Sequence, residues 1–416
     1  MNRRAVVLAA DSAITVTSVV NGQVERRYFK GANKVFELSH HQPVGVMFFN
    51  VANLHSVPWE VLIKMYRDHL GNAAHATVED YAKDFFSFLE NHATLFPQAE
   101  RDQIFEGDAT YAGVRLLDEL ERSPSVTAAP AAAKDAARQA ELTNLLQALS
   151  TRALPTHFTP GDLAAAKAKF GPPLSGALAA ILQSRSIVLP AADLAEAAVE
   201  ALMKRYAEFL DLTGIVVAGY GKEEFFPSFI QYDTYGLAMG KMVADLSPKS
   251  KRVTASGGSH VQAFASDEMV YTFMAGISKD VLASVIDDHE VGLGRLVDDV
   301  ASALGAQSVP GRDQLVQKRL GEFVASLQDA QVQRHFMPLI RIVDSLPLDE
   351  MANLAETLVM LESLKEKVTR PTETVGGPVD VAVITRSEGL VWTRRKHYFD
   401  AQMNSRFMER QRQRML

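Results

Sequence analysis

The 416-residue chain has no cysteine, only two tryptophans, and no apolar run approaching the ~20 residues that span a bilayer. Without cysteine there is no disulfide framework, no thiol nucleophile and no cysteine–zinc site. The basic start Met1-Asn2-Arg3-Arg4 leads into an apolar run, residues 5–10, that Asp11 ends. That run is shorter than the roughly 7–15 residues of a signal-peptide core. No membrane association and a cytoplasmic location are therefore expected. Positive charge is also short: the formal charge is −7 and the pI about 5.9, so no broad nucleic-acid surface is expected. With 25 glycines and 17 prolines, a collagen-like or largely disordered chain is excluded. What is present is 47% hydrophobic and 22% charged residues, over a length that suits two or three domains or one domain with a large insertion.

Several familiar chemistries are missing as well. No glycine-rich loop runs into Lys-Ser or Lys-Thr at phosphate-cradling spacing, and no His-Glu-x-x-His occurs. Gly292-Leu293-Gly294 lacks a third glycine and lies in a helical pattern, against a dinucleotide site. His40-His41 are adjacent, and strand neighbours face opposite ways, so they are poor joint ligands. Asp287-Asp288-His289-Glu290 reads as a solvated helix end. Gly257-Gly258-Ser259-His260 is not a nucleophile elbow and reads as a loop; adjacent Ser259 and His260 are badly placed to act as nucleophile and base. No cofactor and no metal is implied.

The first seventy residues read as a meander of antiparallel strands. Residues 5–10 form an apolar strand buried on both faces, 12–20 and 23–29 a hairpin about Asn21-Gly22, and 34–38 and 44–49 a further pair. Helical spacing follows at 57–70 and 78–95, the second capped by Thr77 with Asp80 three residues on. Residues 123–140, rich in alanine and proline, read as a surface linker or solvated helix, with helices at 164–170 and 191–210. Strands return at 213–220 and 228–232, helices from about 281 to 368, and two last strands at 379–385 and 390–394. The basic tail 395–416 reads as a solvated helix. Strands at both ends with helices between them suggest α+β layers; the helices either cover a sheet or form an inserted lobe.

The chemistry concentrates in the N-terminal strands. Asp11 ends an apolar strand and Lys34 begins another, a charge pair that is costly to bury unless hydrogen-bonded. The segments Ala5-Val6-Val7-Leu8-Ala9-Ala10-Asp11-Ser12 and Lys34-Val35-Phe36-Glu37-Leu38 resemble the opening of proteasome-type N-terminal-nucleophile hydrolases. Val216-Val217-Ala218-Gly219-Tyr220 and Gly376-Gly377-Pro378-Val379-Asp380 resemble later strands of that family. More narrowly, Pro58-Trp59-Glu60, Phe264-Ala265 through Gly276, Ser345-Leu346-Pro347, Thr374–Ile384 and Arg394-Arg395-Lys396-His397-Tyr398-Phe399 resemble a bacterial proteasome-like group. The resemblance spans roughly residues 5–90, 213–276 and 335–400.

That resemblance implies a four-layer αββα sandwich with a helical insertion. Residues 1–95 and 211–400 would be the two halves of the core, 96–210 the insertion and 401–416 the tail. It implies a threonine-type amidohydrolase or peptidase acting on a peptide or amide substrate, and a homo-oligomer. The nucleophile would be the hydroxyl of a first residue whose α-amine, of ordinary pKa about 7.7–8.0, serves as base. Lys34 would favour the deprotonated hydroxyl, Asp11 would hold Lys34, and a backbone N–H near Asn50 would face the oxyanion. A strand bearing that nucleophile should pair with residues 5–10, yet only Met1–Arg4 precede them, and Ser12, Thr15 and Thr17 lie on or after the wrong strand. Ala13, Asn50, Thr372 and Val375 also replace an arginine, a glycine, an aspartate and a serine of the family pattern. Two expectations stand: a hydrolase whose nucleophile lies upstream of Met1, or a non-catalytic scaffold of the same fold.

Overall fold

The computed structural model describes residues 1–20, 23–369, 376–397, 399–400 and 402–414, the side chains of 15–28, 411 and 414 excepted. The turn expected at Asn21-Gly22, and Thr372 and Val375, lie outside the described residues. The first strands are β1 (Val6–Ala10), β2 (Ala13–Val20), β3 (Gln23–Lys30), β4 (Val35–Glu37), β5 (Val44–Asn50), β6 (Asn53–Leu54) and β7 (Val57–Pro58). Helices α1 (Trp59–Leu70) and α2 (Val78–Asn91) follow, then a helical stretch of α3 (Gln98–Glu121), α4 (Pro124–Thr127), α5 (Lys134–Thr151), α6 (Pro160–Ser184), α7 (Ala191–Lys204) and α8 (Tyr206–Phe209). Next come β8 (Thr213–Gly219), β9 (Ser228–Ala238), β10 (Lys241–Leu246) and β11 (Lys251–Arg252). The chain closes with α9 (Glu268–Ala275), α10 (Lys279–Ala303), α11 (Arg312–Gln331), α12 (Met337–Ser345), α13 (Leu348–Thr369), β12 (Asp380–Thr385), β13 (Gly389–Arg394) and α14 (Ser405–Arg414).

The result is a mixed α+β fold with antiparallel sheets. The expected meander is not formed. β1 leaves β2 alone and pairs with β12, Val6 opposite Ile384 and Ala10 opposite Asp380, in a sheet ordered β1-β12-β13. The second sheet runs β10-β9-β8-β5-β4, and β2–β3 is a separate two-stranded ribbon. The physical reason is burial: β12 is buried at every position, so pairing apolar β1 with it removes both from water, which β2, carrying threonines and a serine, does not offer.

Each sheet has two apolar faces. Val6, Leu8, Ala382 and Ile384 of the first sheet share one buried cluster with Met47, Val216, Ala218 and Phe229 of the second. At Gly45 the sheets approach so closely that a Cβ would lie 2.9 Å from the methyls of Ile384 and Leu390. The other face of the first sheet packs Val381 and Val383 on Ala352 of α13. The other face of the second packs Val46, Phe48 and Val217 on Trp59, Tyr66, Tyr81 and Phe85 of α1 and α2. β1 alternates accordingly: Val6 and Leu8 are buried, Val7 and Ala9 less so, in place of the uniform burial expected. Helices α3 and α5–α7 build a core of their own that reaches Ala238 and Val243 of the second sheet's edge.

Boundaries also moved. The Thr77–Asp80 capping box starts α2 as expected. Residues 57–58 are a short strand, so α1 begins at Trp59. The segment expected as a helix over 164–170 is the longer α6, which runs through Pro172 and Pro173. An internal proline costs about 3 kcal/mol, but Leu174, Leu178 and Leu182 beyond the pair are all buried in the lobe's core, and their burial outweighs it. His40-His41 sit in a bend between β4 and β5, and Asp287–Glu290 lie inside α10, not at its end.

Candidate functional site

β1 ends at Ala10, and the corner that follows ties three distant segments together. Asp11 is only 8% exposed. Its Oδ1 accepts from Lys34 Nζ at 2.7 Å, and its Oδ2 accepts from the amides of Ala13 at 3.1 Å and Gly376 at 2.8 Å. Fully buried Ser12 donates its Oγ to Pro378 O at 2.8 Å, while its carbonyl accepts from Gly31 and Ala32. Lys34 stands immediately before β4; strand alternation sends Val35 into the core and leaves the Lys34 side chain facing Asp11. The pair meets the condition that makes buried charge tolerable, since both oxygens of the carboxylate are hydrogen-bonded.

Beside this pair lies a cavity of about 680 Å³. Asp11, Lys34 and Asn50 all line it, with β1, the residues 260–268 and one face of α13 as walls. Asn50 ends β5 in left-handed backbone, at φ 70°, a conformation asparagine adopts more readily than most residues. Among the described residues the outer edge of β1 has no strand partner. Such an edge presents unpaired N–H and C=O groups. Phe49 stacks on Phe264 at 5.7 Å and closes one side.

Residues that local patterns did not single out complete the wall. Met351, Leu354 and Leu358 of α13 line it at helical spacing, and the same face then carries Glu362 and Glu366, both buried. Acids on an otherwise apolar stripe were the available signal. Glu362 accepts from Ser266 Oγ and, at 2.8 Å, from the amide of Met269, so it caps α9. Ser266 is the sole hydroxyl residue among the described cavity-lining residues, and its proton is given to Glu362. The backbone nitrogen of Met1 donates to His260 O at 2.7 Å.

The other sequence candidates stay apart. Ser259 donates to Asp344 at 2.7 Å and makes no pair with His260. Thr15 and Thr17 lie on β2, their side chains outside the description. Among the described residues no group of three histidine or acidic side chains is arranged to hold a metal ion, and no single helix is long and apolar enough to cross a membrane. No protein-family model, curated protein or solved structure matches this chain.

Proposed function

We propose that this chain is the core of an N-terminal-nucleophile amidohydrolase or peptidase of the threonine type. Its two sheets would pack face to face between helical layers as an αββα sandwich. The buried cluster common to both sheets, with α13 on one outer face and α1 and α2 on the other, supports that layering. The observation that carries the chemistry is the Lys34–Asp11 pair, 2.7 Å long, at the wall of a cavity beside the open edge of β1.

An ammonium beside a hydroxyl stabilises the alkoxide and lowers the cost of deprotonation. Asp11 holds the Lys34 ammonium in place, and two backbone amides keep Asp11 in place. The oxyanion formed on attack would accept from an N–H of the left-handed turn at Asn50. In the family that the sequence resembles the nucleophile is the hydroxyl of a first residue, and the one hydroxyl among the described cavity-lining residues, that of Ser266, is engaged with Glu362. The substrate would be a peptide or another amide, and the working particle a homo-oligomer.

The test is mass spectrometry of the protein's native N-terminus together with turnover of fluorogenic peptide amides. The expected results are a first-residue Thr, Ser or Cys and hydrolysis that Lys34→Met reduces about 10²–10³-fold with the fold intact. A native N-terminus without such a residue, and no hydrolysis, would refute the proposal. The engaged Ser266 favours a second reading, a non-catalytic scaffold of the same fold, for which Lys34→Met alters stability alone.

A further inference from the structure

Between His260 and α9 the chain forms one wall of the cavity, and it is fastened unlike the others. β1 and β5 are held in sheets and α13 by its helical bonds, whereas residues 261–266 form no backbone–backbone hydrogen bond among the described residues. The ends of this span are fixed. His260 donates its N–H to Met1 O at 2.9 Å and accepts from Met1 N at 2.7 Å, and Ser259 donates to Asp344. Gly276, in left-handed backbone at φ 75°, closes α9 so near His335 that a Cβ would lie 2.5 Å from that ring. Between these ends Ala265 is also left-handed, at φ 62°, a conformation that costs any residue with a Cβ and is held only by surrounding contacts.

Side chains supply the fastening. Phe264 stacks on Phe49 at 5.7 Å and meets Phe229 edge-on at 5.8 Å. Glu362 of α13 accepts from Ser266 Oγ and from the amide of Met269. Asp267 stands at the N-cap of α9 but makes no cap bond there; its carboxylate pairs with Lys279 at 2.6 Å instead. An acceptor for the first turn of α9 thus comes from another helix, and that turn is complete only while α9 lies on α13. Glu268 also pairs with Lys365 at 2.6 Å, but these side chains are 48% and 30% exposed, and an exposed ion pair contributes little. Glu362, only 4% exposed, is the stronger tie, because hydrogen bonds to a buried charge are worth more.

We infer that residues 261–275 are a lid over the cavity and that Glu362 is its latch. Opening frees Ser266 and Met269 from one carboxylate, relaxes Ala265 and withdraws Phe264 from Phe49 and Phe229, while His260 and Gly276 stay in place as pivots. A segment tied by a few side chains and no ladder belongs to the low-stability end of a fold, from which moving lids are drawn. Closure keeps water from Asp11 and Lys34, which strengthens the electrostatics of the cavity they line. The lid regulates access to the site proposed above and rests on that reading for its purpose. Its motion is measured without turnover, so each can fail alone.

Amide hydrogen exchange on the full chain tests the latch. Glu362→Gln retains one side-chain acceptor oxygen and Glu362→Ala none. Exchange over residues 261–275 should rise about tenfold in Glu362→Ala and by less in Glu362→Gln or Ser266→Ala, with β8 and β12 unchanged. The chain has no native cysteine, so an introduced thiol reports alone. Met47 is buried on β5 and lines the cavity, and Met47→Cys should react with dithiobis(nitrobenzoate) about tenfold faster when Glu362→Ala is added. Exchange over 261–275 that is the same in all these proteins would overturn the inference. So would exchange that rises equally in β8 and β12, or a Met47→Cys labelling rate that Glu362→Ala leaves unchanged.

Discussion

Removing either member of the Asp11–Lys34 pair should cost very different amounts, because the two side chains hold different numbers of partners. Asp11→Ala strands the Lys34 ammonium and leaves the amides of Ala13 and Gly376 without their acceptor. Breaking a buried pair by deleting one partner costs about 3–5 kcal/mol, and an orphaned buried donor about 1–3 kcal/mol. The Lys34 side chain is 21% exposed, so water recovers part of that loss. We expect about 3–5 kcal/mol in all for Asp11→Ala. Lys34→Met keeps the aliphatic stem and leaves Asp11 with two amide donors, so about 1–2 kcal/mol is expected. Urea unfolding followed by tryptophan fluorescence measures both, since Trp392 sits on β13 of the first sheet and Trp59 under the second. A loss below about 1 kcal/mol for Asp11→Ala, or a larger loss for Lys34→Met, would refute the view that the carboxylate organises this corner.

Asp108 on α3 gives a pH signature: burial, and then the charge of Asp211, raise its carboxyl from 3.8 to about 6. The native state therefore retains a proton that the unfolded chain sheds, so the penalty is absent below 3.8, grows as pH rises, and is complete above about 6. Asp108→Asn should raise the melting temperature at pH 7, by at most about 3 kcal/mol of stability, and leave it unchanged at pH 3.5 or below. Gly45→Val should cost about 1–3 kcal/mol by overpacking the contact with Ile384 and Leu390, while Gly31→Ala, with open space around it, should stay within about 0.5 kcal/mol in the same denaturant titration. Tyr206 donates to Asp245 at 2.5 Å, alongside His157 at 2.9 Å, and so fastens the helical lobe to β10. Tyr206→Phe should lower stability by about 1–2 kcal/mol and speed amide exchange in α5–α7 without affecting the first sheet.

The elements that were legible beforehand share a local cause. The Thr77–Asp80 box starts α2 because its donors and acceptors sit three residues apart. Asp11 and Lys34 were singled out as a charge pair by their strand ends, and the roles given to them came from a family resemblance, not from any pattern of spacing. The helix expected over 164–170 stops short of Pro172 and Pro173, which α6 passes through: a proline breaks a helix locally, whereas the buried leucines that override it pack on other helices.

Sequence by itself determined some of the extended and helical stretches, such as β1, β8 and α2, since period, caps and turn residues act over a few neighbouring positions. Tertiary structure alone decided that β1 joins β12 from the far end of the chain, and that residues 260–268 and α13 close a cavity over Asp11, Lys34 and Asn50. Those choices are made by burying apolar faces against one another, and that free energy depends on surfaces brought together from distant segments, which no short window of sequence contains.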